Sequence, residues 1–242
     1  MDDLRGRAAV AILAAGLALS AAAPAVPQSP IAIDAAHSCV AALPRLVATR
    51  RSAVTETWRN TGSPDHEATI RVAADPPAGT LDIGGKSYEL RQYHLHAPAE
   101  HKVAGRFAAM EIHYVYEAAD GSLAVIARLV DKGPADADFG PLLAAMPTTR
   151  DLSVTTHSAD PLGHVLRPWL DQPSSYRYVG SLTTPPFTGQ VAWIVLADHI
   201  TFSAEQMDRF ERIFPHGNRL DVQPIGDRIV RTDVAGFAPP CR

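Results

Sequence analysis

The stretch QYHLHAPAEH at residues 92–101 crowds three imidazoles, an amide and a carboxylate into ten positions. On a strand, alternate side chains share a face, so Gln92, His94 and His96 project together while Tyr93 and Leu95 point the other way. In the next strand-like run, AMEIHYVYE at 109–117, the same parity groups Glu111, His113 and Val115, and a hairpin can bring His113 opposite the first pair. Three neutral imidazoles can bind a zinc ion, leave its charge at +2 and keep the fourth tetrahedral position open. The H-x-H pair alone is short and is better explained by histidines satisfied by ordinary hydrogen bonds. A third histidine on a second strand, with Gln92 and Glu111 placed to orient the rings, points to a metal.

These residues need a rigid frame. The 242-residue chain is 46% hydrophobic and 20% charged, enough apolar content for one sizeable core. Its formal charge of −4, without runs of Lys or Arg, argues against nucleic acid or an anionic membrane surface as partner and for a small ligand. Period-two runs broken by turn residues predict strands at 67–73, 79–83, 88–96, 109–117, 122–131 and 190–197, hence a β-rich α+β fold in a single domain. FGPLLAAMP from Phe139 predicts a short helix. SAEQMDRFERIF predicts a second, with Ser203 as N-cap and Gln206 at the capping-box position.

The first 25 residues read separately. Two arginines precede an alanine-rich apolar run, and Ala21, Ala23 and Ala25 suit a small-residue cleavage site, so 1–25 is expected to be a secretory signal and 26–242 the domain. A membrane anchor is the other reading, although the run falls short of the roughly 20 residues a span needs. Export would make the chain periplasmic or secreted. In an oxidising compartment Cys39 and Cys241 could pair; two free thiols are the alternative.

Taken in order, QSPIAI at 28–33, QYHLHAPAEH, EIHYV, YVGSLTTPPFTGQVAWIVL at 178–196, SAEQM and QPIGDRIV resemble the alpha-class carbonic anhydrases over nearly all of 26–242. The resemblance implies a twisted, mostly antiparallel mixed sheet with short peripheral helices. It also implies Zn2+ on His94, His96 and His113, and reversible hydration of carbon dioxide to bicarbonate by zinc-bound hydroxide. Gln92 and Glu111 match residues that hold ligand imidazoles, and His101 and Tyr178 match their neighbours. Thr183 matches the residue that accepts a hydrogen bond from the hydroxide and donates its own hydrogen to Glu100. Thr184 matches a bicarbonate contact, and Val115, Val125, Leu182 and Trp193 match the apolar wall that receives CO2.

The chain also departs from the family. The Trp-rich arm that relatives carry before QSPI is missing, Phe187 stands where many have cysteine, and NRLDVQP stretches the family's pattern around Arg219. Ser63 replaces the usual proton-shuttle histidine, and His66, three residues later, is the candidate in its place. The alternative function is a carbonic-anhydrase-like binding or adhesion domain of little activity. An ester-cleaving zinc hydrolase is a third reading, although no acyl pocket is visible in the sequence. The expected assembly is a monomer or homodimer.

Overall fold

A computed structural model describes residues 27–51, 54–62, 69–137, 139–158 and 174–242. The expected signal segment and His66 lie outside these residues.

One large sheet organises the chain. Its main path runs through strands Ser153–Ser158, Val54–Asn60, Ile70–Asp75, Lys86–His96, Met110–Ala118, Leu123–Lys132, Gly189–Leu196, Ser175–Ser181, Val230–Thr232 and Ser38–Val40. Pairing is antiparallel except where Leu123–Lys132 meets Gly189–Leu196 and where Val230–Thr232 meets Ser38–Val40. This is the expected mixed, mostly antiparallel sheet. The predicted strands are present, 79–83 with the expected bounds and the others with shifted ends: the run expected from 67 begins at Ile70 and continues to Asp75.

Period-two patterning distributes the side chains. Met110–Ala118 is buried on both faces over nearly its whole length, as a central strand should be. Val54–Asn60 and Ile70–Asp75 alternate between buried and exposed residues, so one of their faces meets water. On the covered face, Trp58, Val72, Tyr93, Leu95 and Tyr114 join a core that includes Phe139, Leu143, Met207 and Phe210 from two helices. On the other face, Ile31, Val115, Val125, Tyr178, Trp193 and Val230 form a second core. Trp58 and Trp193, one in each core, are almost fully buried, and truncating either to alanine should cost about 3–5 kcal/mol.

The two predicted helices are present at Phe139–Ala145 and Ala204–Ile213. The second has the predicted capping box, in which Ser203 Oγ accepts from Gln206 N–H and Gln206 Oε1 accepts from Ser203 N–H. Gln206 also exchanges hydrogen bonds with the Asp136 backbone, which fixes this helix against the approach to the first. At the far edge, Cys39 and Cys241 are bonded to each other.

Candidate metal centre

Register decides whether the histidines meet. His113 pairs directly with His94, and Glu111 with His96, across the antiparallel strands. Directly paired residues share a face. The three rings come together with centroids 4.6 to 5.2 Å apart, and one nitrogen from each lies within 4.8 Å of the others.

Hydrogen bonds fix which nitrogens those are. Gln92 Oε1 lies 2.8 Å from His94 Nδ1, the Asn218 carbonyl 3.2 Å from His96 Nδ1, and Glu111 Oε1 2.8 Å from His113 Nε2. Each contact presents an acceptor, so each of these nitrogens carries the hydrogen and the opposite one keeps its lone pair. His94 Nε2 and His96 Nε2 are buried with no hydrogen-bond partner. An orphaned buried acceptor is costly, and a cation shared with His113 Nδ1 would satisfy both.

Electrostatics agrees. Burial pushes the His94 imidazole well below its usual range, with His96, His113 and Arg71 adding to the depression. Burial lowers His96 to about 4 and also lowers His113. All three are therefore neutral near pH 7, the form that binds a metal. Burial would raise Glu111, but His101 and His113 hold its carboxyl well below the ordinary range.

Glu111 anchors the surrounding shell. Its Oε2 accepts the backbone N–H groups of Glu100 and His101, and its Oε1 lies 2.6 Å from His101 Nδ1. His101 Nε2 lies 2.7 Å from the Tyr178 hydroxyl, itself 2.8 Å from Ser29 Oγ. A second grouping of His101, Glu111 and His113 is compact enough to suggest a metal. Its contacts are hydrogen-bond lengths on a carboxylate already satisfied, so it orients rings instead.

Beside the triad, burial pushes Glu100 to about 7, while His113, the Leu220 N–H that donates to its Oε1 at 2.9 Å, and the Thr183 side chain pull it down. Thr183 and Thr184 are nearly buried. Val115, Val125 and Trp193 are buried, with Leu182 partly buried against them, and the Trp193 ring lies 4.9 Å from His113. The structure thus brings together the sequence-predicted metal, orienting and apolar-wall residues; Thr184 is buried next to Thr183 in sequence, His66 lies outside the described residues, and the cysteines are bonded elsewhere.

Sequence reasoning missed Asn218, whose carbonyl holds His96 while its Oδ1 accepts from Ala97 N–H and its Nδ2 donates to the Leu95 carbonyl. The displaced NRLDVQP segment was the only signal. Arg219, its next residue, stacks 4.2 Å over Phe107.

Comparison with known proteins places this geometry. Residues 20–233 match the family described as eukaryotic-type carbonic anhydrase. A carbonic anhydrase of Pectobacterium carotovorum is 34% identical over 162 residues, 67% of this chain and 65% of that protein. One from Klebsiella pneumoniae is 35% identical over 63% of this chain and 61% of its own length. The chain thus spans just under two thirds of these curated relatives. Among solved structures, the alpha-carbonic anhydrase of Thermovibrio ammonificans with sulfanilamide is 30% identical with a TM-score of 0.75, covering 85% of this chain and 86% of that one. Dioscorin complexed with ascorbate, at 28% identity, has the same TM-score over 86% of each chain.

Proposed function

Because the chain belongs to the eukaryotic-type carbonic anhydrase family, we propose that its three-histidine site holds zinc and interconverts carbon dioxide and bicarbonate. The observation that carries this is the convergence of three lone pairs, two of them on buried nitrogens without a partner, each ring held from its opposite nitrogen. Zinc in this site would supply a Lewis acid that brings the pKa of water to about 7, a figure for which carbonic anhydrase is itself the reference case.

The chain's residues do the rest. Thr183 acts on the Glu100 carboxyl and lowers it; with its hydroxyl hydrogen turned to that carboxylate, its oxygen would be left to accept. A nucleophilic oxygen beside the triad must then donate its hydrogen to Thr183 and turn a lone pair toward the wall of Val115, Val125, Leu182 and Trp193. Carbon dioxide carries no charge, and a dry apolar wall is sufficient to hold it. Thr184, nearly buried beside Thr183, supplies a hydroxyl for the bicarbonate that forms. His66 remains our candidate for carrying the proton outward.

We also propose that 1–25 exports the domain 26–242 to the periplasm or beyond. The Cys39–Cys241 bond supports an oxidising compartment, and among the described residues no helix is long and apolar enough to cross a membrane.

Stopped-flow CO2 hydration by protein of known zinc content, with His94→Ala as control, tests the reading. Turnover that is lost together with zinc in the control is the expected result. Full zinc occupancy without turnover would overturn the enzyme in favour of a binding domain.

A further inference from the structure

The row of side chains that ends on the histidines begins with two arginines. Direct pairing runs from Ser153 to Arg59, Arg59 to Arg71, Arg71 to His94 and His94 to His113, so all five project from one face. Along that row burial changes sharply. Arg59 and Arg71 are exposed, whereas His94 and His113 are buried. Arg71 therefore stands where the open half of this face meets the closed half, at the mouth of the site.

A structural role explains Arg71 poorly. Like charges directly opposite one another on a sheet are destabilising, and Arg59 faces it across the strands. Arg59 is compensated by Asp151 at 3.2 Å. For Arg71 there is no hydrogen bond or ion pair with any described residue. Its guanidinium is carried on the strand position directly opposite His94. A guanidinium is charged at every working pH and offers a planar fork of donors that matches a planar oxyanion.

We propose that Arg71 is an anion-gathering residue that recruits monoanions of the bicarbonate type to the mouth of the metal site. The inference rests on the carbonic anhydrase reading for the identity of the natural anion. Neutral CO2 gains nothing from the charge, whereas bicarbonate and other small anions do, so Arg71 sets how strongly the site retains anions relative to its neutral substrate.

The test is calorimetric titration of sodium thiocyanate into the zinc-loaded protein at low ionic strength, comparing wild type, Arg71→Gln and Arg71→Lys at equal zinc content. The glutamine variant should bind roughly threefold more weakly, the size expected of one unit charge about 7 Å away across water. Lysine should retain most of the affinity. The gap should close in about half-molar salt. Equal affinities of wild type and Arg71→Gln, or no measurable binding to wild type, overturn the proposal. Because thiocyanate binding needs no turnover, an inactive but zinc-loaded protein would sink the enzymatic reading while leaving this one decidable.

Discussion

Glu56 offers a quantitative test of the sheet's other face. Its side chain is 0% exposed, accepts one hydrogen bond from the Tyr93 hydroxyl at 3.0 Å, and is pushed by burial from 4.5 to about 7, against the lowering effect of the Tyr93 and Trp58 side chains. An acid whose pKa is higher folded than unfolded binds its proton more tightly in the folded state. Its penalty is therefore absent below about 4.5, grows as pH rises, and is complete above about 7. The span corresponds to about 3 kcal/mol. Glutamine has the shape of the protonated acid and never ionises. Glu56→Gln should thus match wild type in unfolding free energy at pH 4 and exceed it by up to about 3 kcal/mol at pH 8, as read from urea denaturation. Contributions from other titrating groups, Glu100 among them, cancel in the difference between the two proteins. A difference that does not change between pH 4 and pH 8 would refute the argument.

Other consequences are measurable on the site and its frame. Thr183→Ala should reduce kcat/KM for CO2 by roughly a hundredfold with zinc content unchanged; full turnover would remove Thr183 from the mechanism. Asn218→Ala keeps the carbonyl that holds His96 but deletes the two side-chain bonds that fix that carbonyl's position, so zinc affinity should fall about tenfold in a chelator competition. A stability loss with undiminished zinc affinity would show the carbonyl to be held by something else. Cys241→Ser opens a bridge spanning 202 positions and should destabilise by roughly 3–5 kcal/mol in urea; coincident unfolding curves would show that the bridge contributes nothing.

How much was legible follows from the range of each interaction. The face shared by Gln92, His94 and His96 could be read because strand parity is local, and His113 joined them because one hairpin fixes the register. The capping box at Ser203 was legible for the same reason. Strands of two or three residues, such as Ala32–Ile33 and Val230–Thr232, carry no periodicity and exist because longer neighbours hold them. Asn218 lies 122 positions from the histidine it orients, and no local pattern marks an asparagine for that task. Arg71 was hidden in a recognised strand. Its meaning appears only when two separate registers set it between Arg59 and His94. The roles of Thr183 and Glu100 came from the resemblance, since a threonine in a proline-rich turn and a glutamate beyond a strand end look ordinary by themselves.

The two buried glutamates sit in different electrostatic settings on the two faces of the sheet. Burial pushes both Glu56 and Glu100 to about 7, so desolvation alone does not distinguish them. Around Glu56 the groups acting on the carboxyl are the neutral Tyr93 and Trp58 side chains; the protonated acid suits that setting and does nothing further. Glu100 Oε1 accepts Leu220 N–H and lies 3.3 Å from His96 Nδ1, while its Oε2 lies 3.9 Å from His113 Nδ1. A dication held by those rings would favour the ionised carboxylate, and an ionised carboxylate can only accept, which in turn fixes the direction of the Thr183 hydroxyl. The same burial thus leaves an acid among neutral groups on one side of the strands and, on the other, a carboxyl beside two imidazoles that would respond to any cation those rings held.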